Sequence, residues 1–361
     1  MEKLITTEEI PNCFLKTSLT QIWKKKGSPL SLNNMRFIHM REWQSRLLEA
    51  LITEKMKDDI VKNTPDIQLG GIPGESSVQH LVTLKTWMKM KEEKKEGGIF
   101  QVFDMAKFFD KESLLDCLDV LNKIAKIDHK CYRIWYLLNE DTKIRVRTSV
   151  GDTDWHNIED GIGQGAPAAA LVSSCSIGNA IHETFKDKPS TKIGNMNLSA
   201  MVFQDDIAKM NDELKHAREG CEEINETLLK KLLSVNYDKS KFVIMGNKAY
   251  KDKIMKELEK NPMMMGKVKI DQSVMEKYLG DLIHEKGCEA SILETIKERL
   301  KKLRPKMNEI IQTSENPMMQ GLSNAEVPFK LFESTVITPL LNNCESWIGI
   351  KDQQLNLLQK F

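Results

Sequence analysis

Two adjacent acidic residues, Asp205 and Asp206, lie between two short apolar stretches at residues 197–203 and 207–210. This pattern predicts a β-hairpin with both carboxylates at its tip. Successive side chains of a strand point to opposite faces, so only a tight turn brings neighbouring acids near one point. Two carboxylates held together repel each other and need a cation to stay ionised. An Asp-Asp turn by itself is most often a solvated loop, so its meaning depends on the rest of the chain.

A third acid ends an apolar run upstream. Residues 98–104 read Gly-Ile-Phe-Gln-Val-Phe-Asp, and a helical pattern of leucines follows. Sheet folds present their chemistry at the carboxyl ends of buried strands, which is where this run puts Asp104. The next acids, Asp110 and Glu112, fit the cap and first turn of the following helix. That explanation does not apply to Asp104, because Asp104 lies within the strand-like stretch.

A glycine-rich turn stands between these acids. Residues 161–167 read Gly-Ile-Gly-Gln-Gly-Ala-Pro and lead into a helix of small residues. Such a turn lets the backbone lie against a flat partner, such as a base pair or a nucleotide. The turn is not a P-loop, because no Gly-Lys-Ser or Gly-Lys-Thr closes it.

The ordered set of acid strand, Gly-Gln-Gly-x-Pro turn and Asp-Asp hairpin resembles the reverse transcriptase domain, specifically that of non-LTR (LINE-type) retrotransposons. The resemblance covers essentially the whole chain. Further blocks that are similar to the family, in the same order, are residues 10–27 and 34–38, Gln68-Leu69-Gly70 with residues 74–77, residues 236–241, residues 277–280 and residues 340–347. The resemblance implies an α+β fold of the right-hand polymerase type, in which helices back the antiparallel sheet of the palm.

The resemblance also implies the chemistry, which is that of an RNA-directed DNA polymerase. A primer 3′-hydroxyl attacks the α-phosphate of a deoxynucleoside triphosphate, assisted by two Mg²⁺ ions about 4 Å apart, with Mn²⁺ as an alternative. By this resemblance Asp104 and Asp205 are metal ligands that bridge the two ions, and Asp206 supports them. Lys239 matches a lysine that protonates the pyrophosphate leaving group.

A nucleotide site and a primer contact follow from the same resemblance. Phe109 matches the bulky residue under the incoming sugar, which excludes a 2′-hydroxyl, although either Phe108 or Phe109 must pack inward as an ordinary core residue. Gln164 resembles a glutamine beside the incoming base. The cations expected to bind the triphosphate are Arg36, Lys24, Lys26 and Lys107. The residues expected to grip the primer are Tyr278, Leu279 and Gly280.

The predicted organisation has three parts. Residues 1–97 are expected to be mainly fingers, residues 98–285 mainly palm with some fingers elements, and residues 286–361 the thumb with a C-terminal helical extension. Strands are predicted near residues 98–104, 143–150, 197–203, 206–210 and 241–246. Helices are predicted near residues 42–62, 76–95, 112–127, 165–186 and 212–235.

Charge and composition fit an intracellular nucleic-acid enzyme. The net charge is only +1, but basic residues cluster near 24–46 and 297–306, on either side of the acids. The family resemblance implies an RNA template, a DNA primer and their duplex as partners. Seven scattered cysteines without a Cys-x-x-Cys pair predict reduced thiols, in the nucleus or cytoplasm. No run of about eighteen apolar residues is present, so no membrane span is expected. The oligomeric state does not follow from the sequence.

Several departures from the family pattern leave a second class of function open. Gln204 replaces a small residue, and Ile72 and Glu75 replace two arginines. A glutamate near phosphate would repel it. The alternative to a polymerase is therefore a catalytically silent, retroelement-derived nucleic-acid-binding protein. A polymerase that makes RNA is disfavoured by Phe109. The chain carries no endonuclease domain and ends within a helical pattern, so a fragment or an isolated open reading frame of an element is expected.

Overall fold

The computed structural model describes residues 9–148, 150–158, 161–314 and 326–359. The start of the predicted fingers (1–8), residue 149 of a predicted strand, and residues 315–325 and 360–361 of the predicted thumb lie outside the described residues. The strands are β1 (Lys16–Trp23), β2 (Met35–Arg41), β3 (Gly98–Asp104), β4 (Lys143–Thr148), β5 (Gly151–Asp152), β6 (His156–Asn157), β7 (Thr191–Ile193), β8 (Met196–Leu198), β9 (Met201–Phe203), β10 (Asp206–Asn211), β11 (Lys241–Met245), β12 (Met264–Met265), β13 (Val268–Lys269), β14 (Asp271–Gln272), β15 (Met275–Tyr278) and β16 (Asp281–His284).

The helices alternate with these strands along the chain. The α-helices are α1 (Trp43–Lys62), α2 (Ser77–Glu93), α3 (Phe108–Lys111), α4 (Leu114–Asp119), α5 (His129–Asn139), α6 (Ala169–Phe185), α7 (Leu214–Lys230), α8 (Lys248–Lys260), α9 (Cys288–Ser314), α10 (Glu326–Phe332), α11 (Thr338–Leu341) and α12 (Asp352–Gln359). Short 3₁₀ helices cover Asn12–Leu15, Leu32–Asn34 and Cys344–Ser346, and π-helical turns cover Val120–Ile124 and Glu333–Ile337.

A five-stranded sheet forms the centre of the described part of the chain, in the order β14-β11-β3-β10-β9. Strand β3 is central because its residues from Gly98 to Phe103 are all buried, so it can be covered on both faces. Its neighbours β10 and β11 are antiparallel to it. The register pairs Asp206 with Asp104 and therefore fixes both acids at one end of the sheet.

Two helices back this sheet, as the sequence predicts. Ile177 and Ile181 of α6, with Ala217 and Ile224 of α7, pack in one apolar cluster with Phe103 of β3. Each of these side chains is at most 1% exposed. These helices cover one face of the sheet, and Leu81 and Leu84 of α2 pack with Phe100 on the other face.

A second sheet lies towards the N-terminus, in the order β2-β1-β4-β5 with β6 also paired to β4. The periodicity of the sequence did not predict β1 and β2. The β1 segment reads Lys-Thr-Ser-Leu-Thr-Gln-Ile-Trp, and its buried positions include Thr17 and Ser18, so no apolar alternation marks it. Strand β4 pairs in parallel with β1, across more than a hundred residues of chain.

Several predicted elements are present with different boundaries. The predicted strand at 197–203 is two strands, because β8 pairs with β7 and β9 pairs with β10. The predicted helix at 112–127 is interrupted and continues through a π-helical turn. The predicted helix at 165–186 begins only at Ala169, after the glycine-rich turn. Helices α5 and α8 were not predicted.

The C-terminal region consists of helices packed on the hairpin β15–β16 and on α2. Helix α9 buries Cys288, Ile292 and Ile296 against Leu84 and Trp87 of α2. Glu92 of α2 reaches across to accept a hydrogen bond of 2.7 Å from the first backbone N–H of α9. In the described ranges no helix combines the length and the apolar character that a membrane crossing requires.

Candidate active site

The three predicted metal acids lie at one end of the central sheet. Asp104 is the last residue of β3, Asp206 is the first residue of β10 directly opposite, and Asp205 sits in the turn before it. Burial, followed by the charges of Asp205 and Asp104, raises the pKa of Asp206 to about 6. Burial and the charge of Asp104 also raise the pKa of Asp205. The site therefore favours a cation among these carboxylates.

A lysine supplies one such cation in this structure. The Nζ of Lys239 lies 3.0 Å from Oδ2 of Asp104. The segment that carries it is tied to the same acid through the backbone. The N–H of Asn236 donates to the Asp104 carbonyl at 2.7 Å, and the N–H of Asp104 donates to the Ser240 hydroxyl at 3.2 Å. Asp104 and Lys239, which were each predicted as site residues, are thus in direct contact.

The acids open onto a cavity of about 440 Å³ that collects residues from distant parts of the chain. The predicted site residues that line it are Asp104, Asp205, Lys239, Lys24, Arg36, Lys107, Phe109 and Gln164. Asp206, Lys26 and the three predicted grip residues do not line it. Lysines and an arginine thus share one cavity with three carboxylates, those of Asp104, Asp110 and Asp205. This is the charge pattern needed to receive a metal-bound polyphosphate.

The two neighbouring phenylalanines differ in their surroundings. Phe108 is 3% exposed and belongs to the apolar cluster behind the sheet. Phe109 is only partly buried, and its ring lies 5.2 Å from that of Phe108. Both stand at the start of the short helix α3, rather than on a continuation of β3. Both side chains line part of the cavity, but Phe108 is buried in the apolar cluster, whereas Phe109 stays partly exposed.

The glycine-rich turn packs tightly against the second sheet and α3. A Cβ on Gly163 would lie 2.9 Å from the His39 ring, and one on Gly161, whose φ is +102°, would lie 2.8 Å from the Asp110 carbonyl oxygen. The carbonyl of Gln164 accepts a hydrogen bond of 3.0 Å from His39 N–H on β2. Larger residues would push the turn away, so the glycines set the position of Gln164.

A comparison with protein-family models identifies a match to the model described as "Reverse transcriptase (RNA-dependent DNA polymerase)", over residues 23–282. That span is more than half of the chain. The chain belongs to the reverse transcriptase family. A search of curated protein sequences found no match.

Solved structures with the same fold include telomerases. The telomerase of Candida albicans, in complex with a TWJ fragment of telomeric RNA, is similar with a TM-score of 0.56 and 11% identity, covering 99% of this chain and 65% of that one. The apo telomerase of Candida tropicalis gives 0.53 and 12%, with coverage of 99% and 65%. At these identities the likeness shows the fold, which is that of a right-hand polymerase, as predicted. The chain spans about two thirds of the length of these telomerases.

In this reverse transcriptase the predicted grip turn lies on the hairpin β15–β16. Leu279 and Gly280 form its turn with φ of +47° and +91°. Tyr278 points inward, is 1% exposed, and packs edge-to-face on Phe100. Its hydroxyl lies 3.3 Å from Nδ1 of His80. The buried tyrosine therefore supports the turn from inside, and its ring is not exposed at the surface of the turn.

A buried ionic network behind this turn was not predicted. Asp281, fully buried, contacts the ammonium of Lys85 and lies 2.6 Å from the guanidinium of Arg299. Lys85 also lies 2.8 Å from the Ser346 hydroxyl, and Arg299 donates to the Gly280 carbonyl at 3.1 Å. Sequence reasoning assigns such charges in amphipathic helices to the solvated face. The signal that could have found them is the Cys-Glu-Ser-Trp segment, whose Ser346 completes the network.

The acids fit a magnesium site by their chemistry. Carboxylate oxygens that leave room for phosphates and water are the ligands that Mg²⁺ prefers, and Asp104 and Asp205 line such a space. In the part of the chain that the structure describes, no three His, Cys, Asp or Glu side chains are grouped so that they could hold a metal by themselves. The remaining ligands would have to come from substrate and water.

Proposed function

We propose that this chain is an RNA-directed DNA polymerase that extends a primer 3′-hydroxyl with deoxynucleotides, using Mg²⁺ held by Asp104 and Asp205 with support from Asp206. The observation that carries the proposal is the cavity in which two acids from the central sheet share walls with Lys24, Arg36 and further side chains. Two bound Mg²⁺ ions would lower the pKa of the primer hydroxyl and neutralise charge on the leaving pyrophosphate.

The side chains of the cavity have distinct tasks in this proposal. Lys24, Arg36 and Lys107 bind the triphosphate, with the arginine able to form two parallel hydrogen bonds to phosphate oxygens. Gln164 lies beside the incoming base. Phe109 blocks the space of a 2′-hydroxyl. Lys26 remains proposed as an outer phosphate contact, and the turn Leu279-Gly280 as the primer contact positioned by Tyr278.

Lys239 has two roles in the proposal. In the resting protein its ammonium neutralises Asp104. When substrate binds, the ammonium leaves Asp104 and turns towards the leaving pyrophosphate, to which it donates a proton. The Lys239 side chain is 63% exposed, so this movement does not require the core to repack.

The wider setting of the activity is also part of the proposal. The order of the matched blocks supports the non-LTR (LINE-type) retrotransposon branch, with fingers at 1–97, palm at 98–285 and thumb at 286–361. An RNA template and a DNA primer are the proposed partners. Seven free cysteines fit action in the nucleus or cytoplasm.

Primer extension by the wild-type chain tests this function. A labelled DNA primer annealed to RNA should be extended with deoxynucleotides in Mg²⁺ or Mn²⁺, and extension with ribonucleotides should be much weaker. Binding of the same duplex without extension, in either metal, would instead identify the silent nucleic-acid-binding alternative. A protein that neither binds nor extends the duplex would contradict both.

A further inference from the structure

The turn between β9 and β10 has a backbone conformation that needs support. Gln204, the residue before the two acids, has φ of +54°, in the left-handed region. A residue with a Cβ adopts this region only at a cost in free energy, because Cβ approaches the following carbonyl. The direction in which Asp205 leaves the sheet depends on this residue. Something in the surrounding structure must therefore hold the turn.

One buried amide holds both backbone polar groups of Gln204. The Oε1 of Gln68 accepts hydrogen bonds from the N–H of Gln204 at 3.0 Å and from the N–H of Gly70 at 2.9 Å. Its Nε2 approaches the Gln204 carbonyl at 3.4 Å. Two backbone donors face Oε1, so the amide has only one orientation that satisfies them. Gln68 is 2% exposed, so no water competes for these contacts.

The segment that carries this amide is fixed to the hairpin along its backbone. Leu69 N–H donates to the Val202 carbonyl at 3.0 Å, and Val202 N–H donates to the Ile67 carbonyl at 2.7 Å. The segment thereby extends the sheet beyond β9. A Cβ on Gly70 would lie 2.6 Å from the carbonyl carbon of Phe203, and one on Gly178 would lie 2.8 Å from the Cβ of Gln68. Two glycines therefore make the space that this close approach requires.

We propose that Gln68 is a positioning residue for the catalytic acids, acting through the backbone of Gln204. The amide locks the left-handed turn and so fixes the separation of Asp205 from Asp104 on the neighbouring strand. This inference rests on the proposed function for its meaning, because the acids matter only as metal ligands. Gln68 itself touches neither the cavity nor the acids, and its effect is on their geometry.

The decisive comparison removes the amide and keeps its volume. Gln68→Met should lower the rate of primer extension by about 10- to 100-fold, the range for residues that orient metal ligands. The Mg²⁺ concentration for half-maximal rate should rise, while binding of the RNA–DNA duplex stays unchanged. Gln79→Met, at an exposed position of α2, is the matched control and should change none of these. A Gln68→Met protein with wild-type rate and metal dependence would overturn the proposal.

The same substitution in a second protein, Gln204→Gly, distinguishes an effect on the position of the acids from a general loss of stability. Glycine adopts positive φ freely, so the Gln204→Gly protein has less need of the clamp. The loss caused by Gln68→Met should therefore be smaller in the Gln204→Gly protein than in the wild type. An equal loss in the two backgrounds, together with a lowered melting temperature, would assign Gln68 a purely structural role and overturn the proposal.

Two further measurements test the proposal if Gln68→Met does not fold or if the wild type shows no extension. If Gln68→Met does not fold, Gln68→Glu retains the accepting oxygen but sets a carboxylate oxygen against the Gln204 carbonyl, and the same loss is expected. If the wild type itself shows no extension, calorimetric binding of Mn²⁺ to the protein alone still compares the acid geometry of wild type and variant. Weaker Mn²⁺ binding by the variant supports the inference, and equal binding contradicts it.

Discussion

At the scale of single residues, the two phenylalanines show where sequence reasoning stops. Their adjacency implied that one packs inward, and tertiary packing decided which one. Both side chains touch the cavity, but the structure buries Phe108 and leaves Phe109 partly exposed there. The sequence alone could not make that choice, because it depends on the short helix α3, which no periodicity marks.

Sugar selection should therefore depend on Phe109. We expect Phe109→Val to raise the incorporation of ribonucleotides relative to deoxyribonucleotides, with some loss of overall rate, because the space of the 2′-hydroxyl opens. Competition assays with both nucleotide types would measure the ratio. Phe108→Ala is the paired control and should destabilise the fold by about 3–5 kcal/mol without changing that ratio. If only Phe108→Ala changes the ratio of ribonucleotide to deoxyribonucleotide incorporation, then Phe108 selects the sugar and Phe109 is the core residue.

A buried acid outside the cavity predicts a pH effect on stability. Burial raises the pKa of Glu112 to about 7 in the folded protein, from 4.5. The folded state then binds the proton more tightly than the unfolded state, so stability falls as pH rises from 4.5 to 7. Glu112→Gln should remove this loss, which is about 3 kcal/mol at pH values above 7. Urea unfolding at pH 5 and pH 8 measures it, and a gain that is the same at both pH values would contradict the assignment.

The two positions that depart from the family pattern, Ile72 and Glu75, have different surroundings in the structure. Ile72 is 8% exposed in an apolar cluster, whereas Glu75 is exposed at a turn. Glu75→Arg should strengthen duplex binding and steepen its dependence on salt, as an added phosphate contact requires. Ile72→Arg should instead lower stability, because it buries a charge. Anisotropy titrations of the duplex at several salt concentrations measure both effects. If the salt dependence of binding is unchanged in Glu75→Arg, residue 75 does not contact nucleic acid.

At the scale of elements, the long apolar strand β3 and the amphipathic helices α1, α2 and α7 follow from the sequence. Burial on two faces gives continuous apolar runs, and burial on one side gives a helical period. Strands β1 and β2 could not be found in this way, since polar side chains such as Thr17 occupy buried positions. The split of residues 197–203 into β8 and β9 was also hidden, because it arises from pairing with different partners.

The ionic network joins α2, the hairpin β15–β16 and α9, and its charges are unequal. One buried acid, Asp281, faces the two cations Lys85 and Arg299. Asp281→Ala should cost about 3–5 kcal/mol of stability, because it leaves two buried cations without a negative charge beside them. Lys85→Met should cost less, because one balanced pair remains. Chemical denaturation compares the two variants, and an equal or reversed order would contradict this description of the network.

At the scale of the whole molecule, the site depends on contacts between distant segments. The cavity draws its walls from β2, β3, the glycine-rich turn and the turn before β10. The family resemblance predicted eight of the residues that meet there, but it also named Lys26 and Asp206, which do not line the cavity. It did not predict that Gln68 holds the backbone of Gln204. A hydrogen bond to a backbone group can be made to any residue type, so the identity of residue 204 does not indicate it. The family match and the fold agree with the predicted polymerase.

The central claim is that Asp104 and Asp205 hold the metals of a polymerase, and one comparison tests it most directly. Primer extension and RNA–DNA duplex binding would be measured side by side for wild type, Asp104→Ala, Asp205→Ala and Asp271→Ala, the last being an exposed acid on β14. We expect both site variants to lose extension and keep duplex binding, and Asp271→Ala to keep both. Substantial extension by either site variant, in a preparation free of other polymerases, would contradict the account.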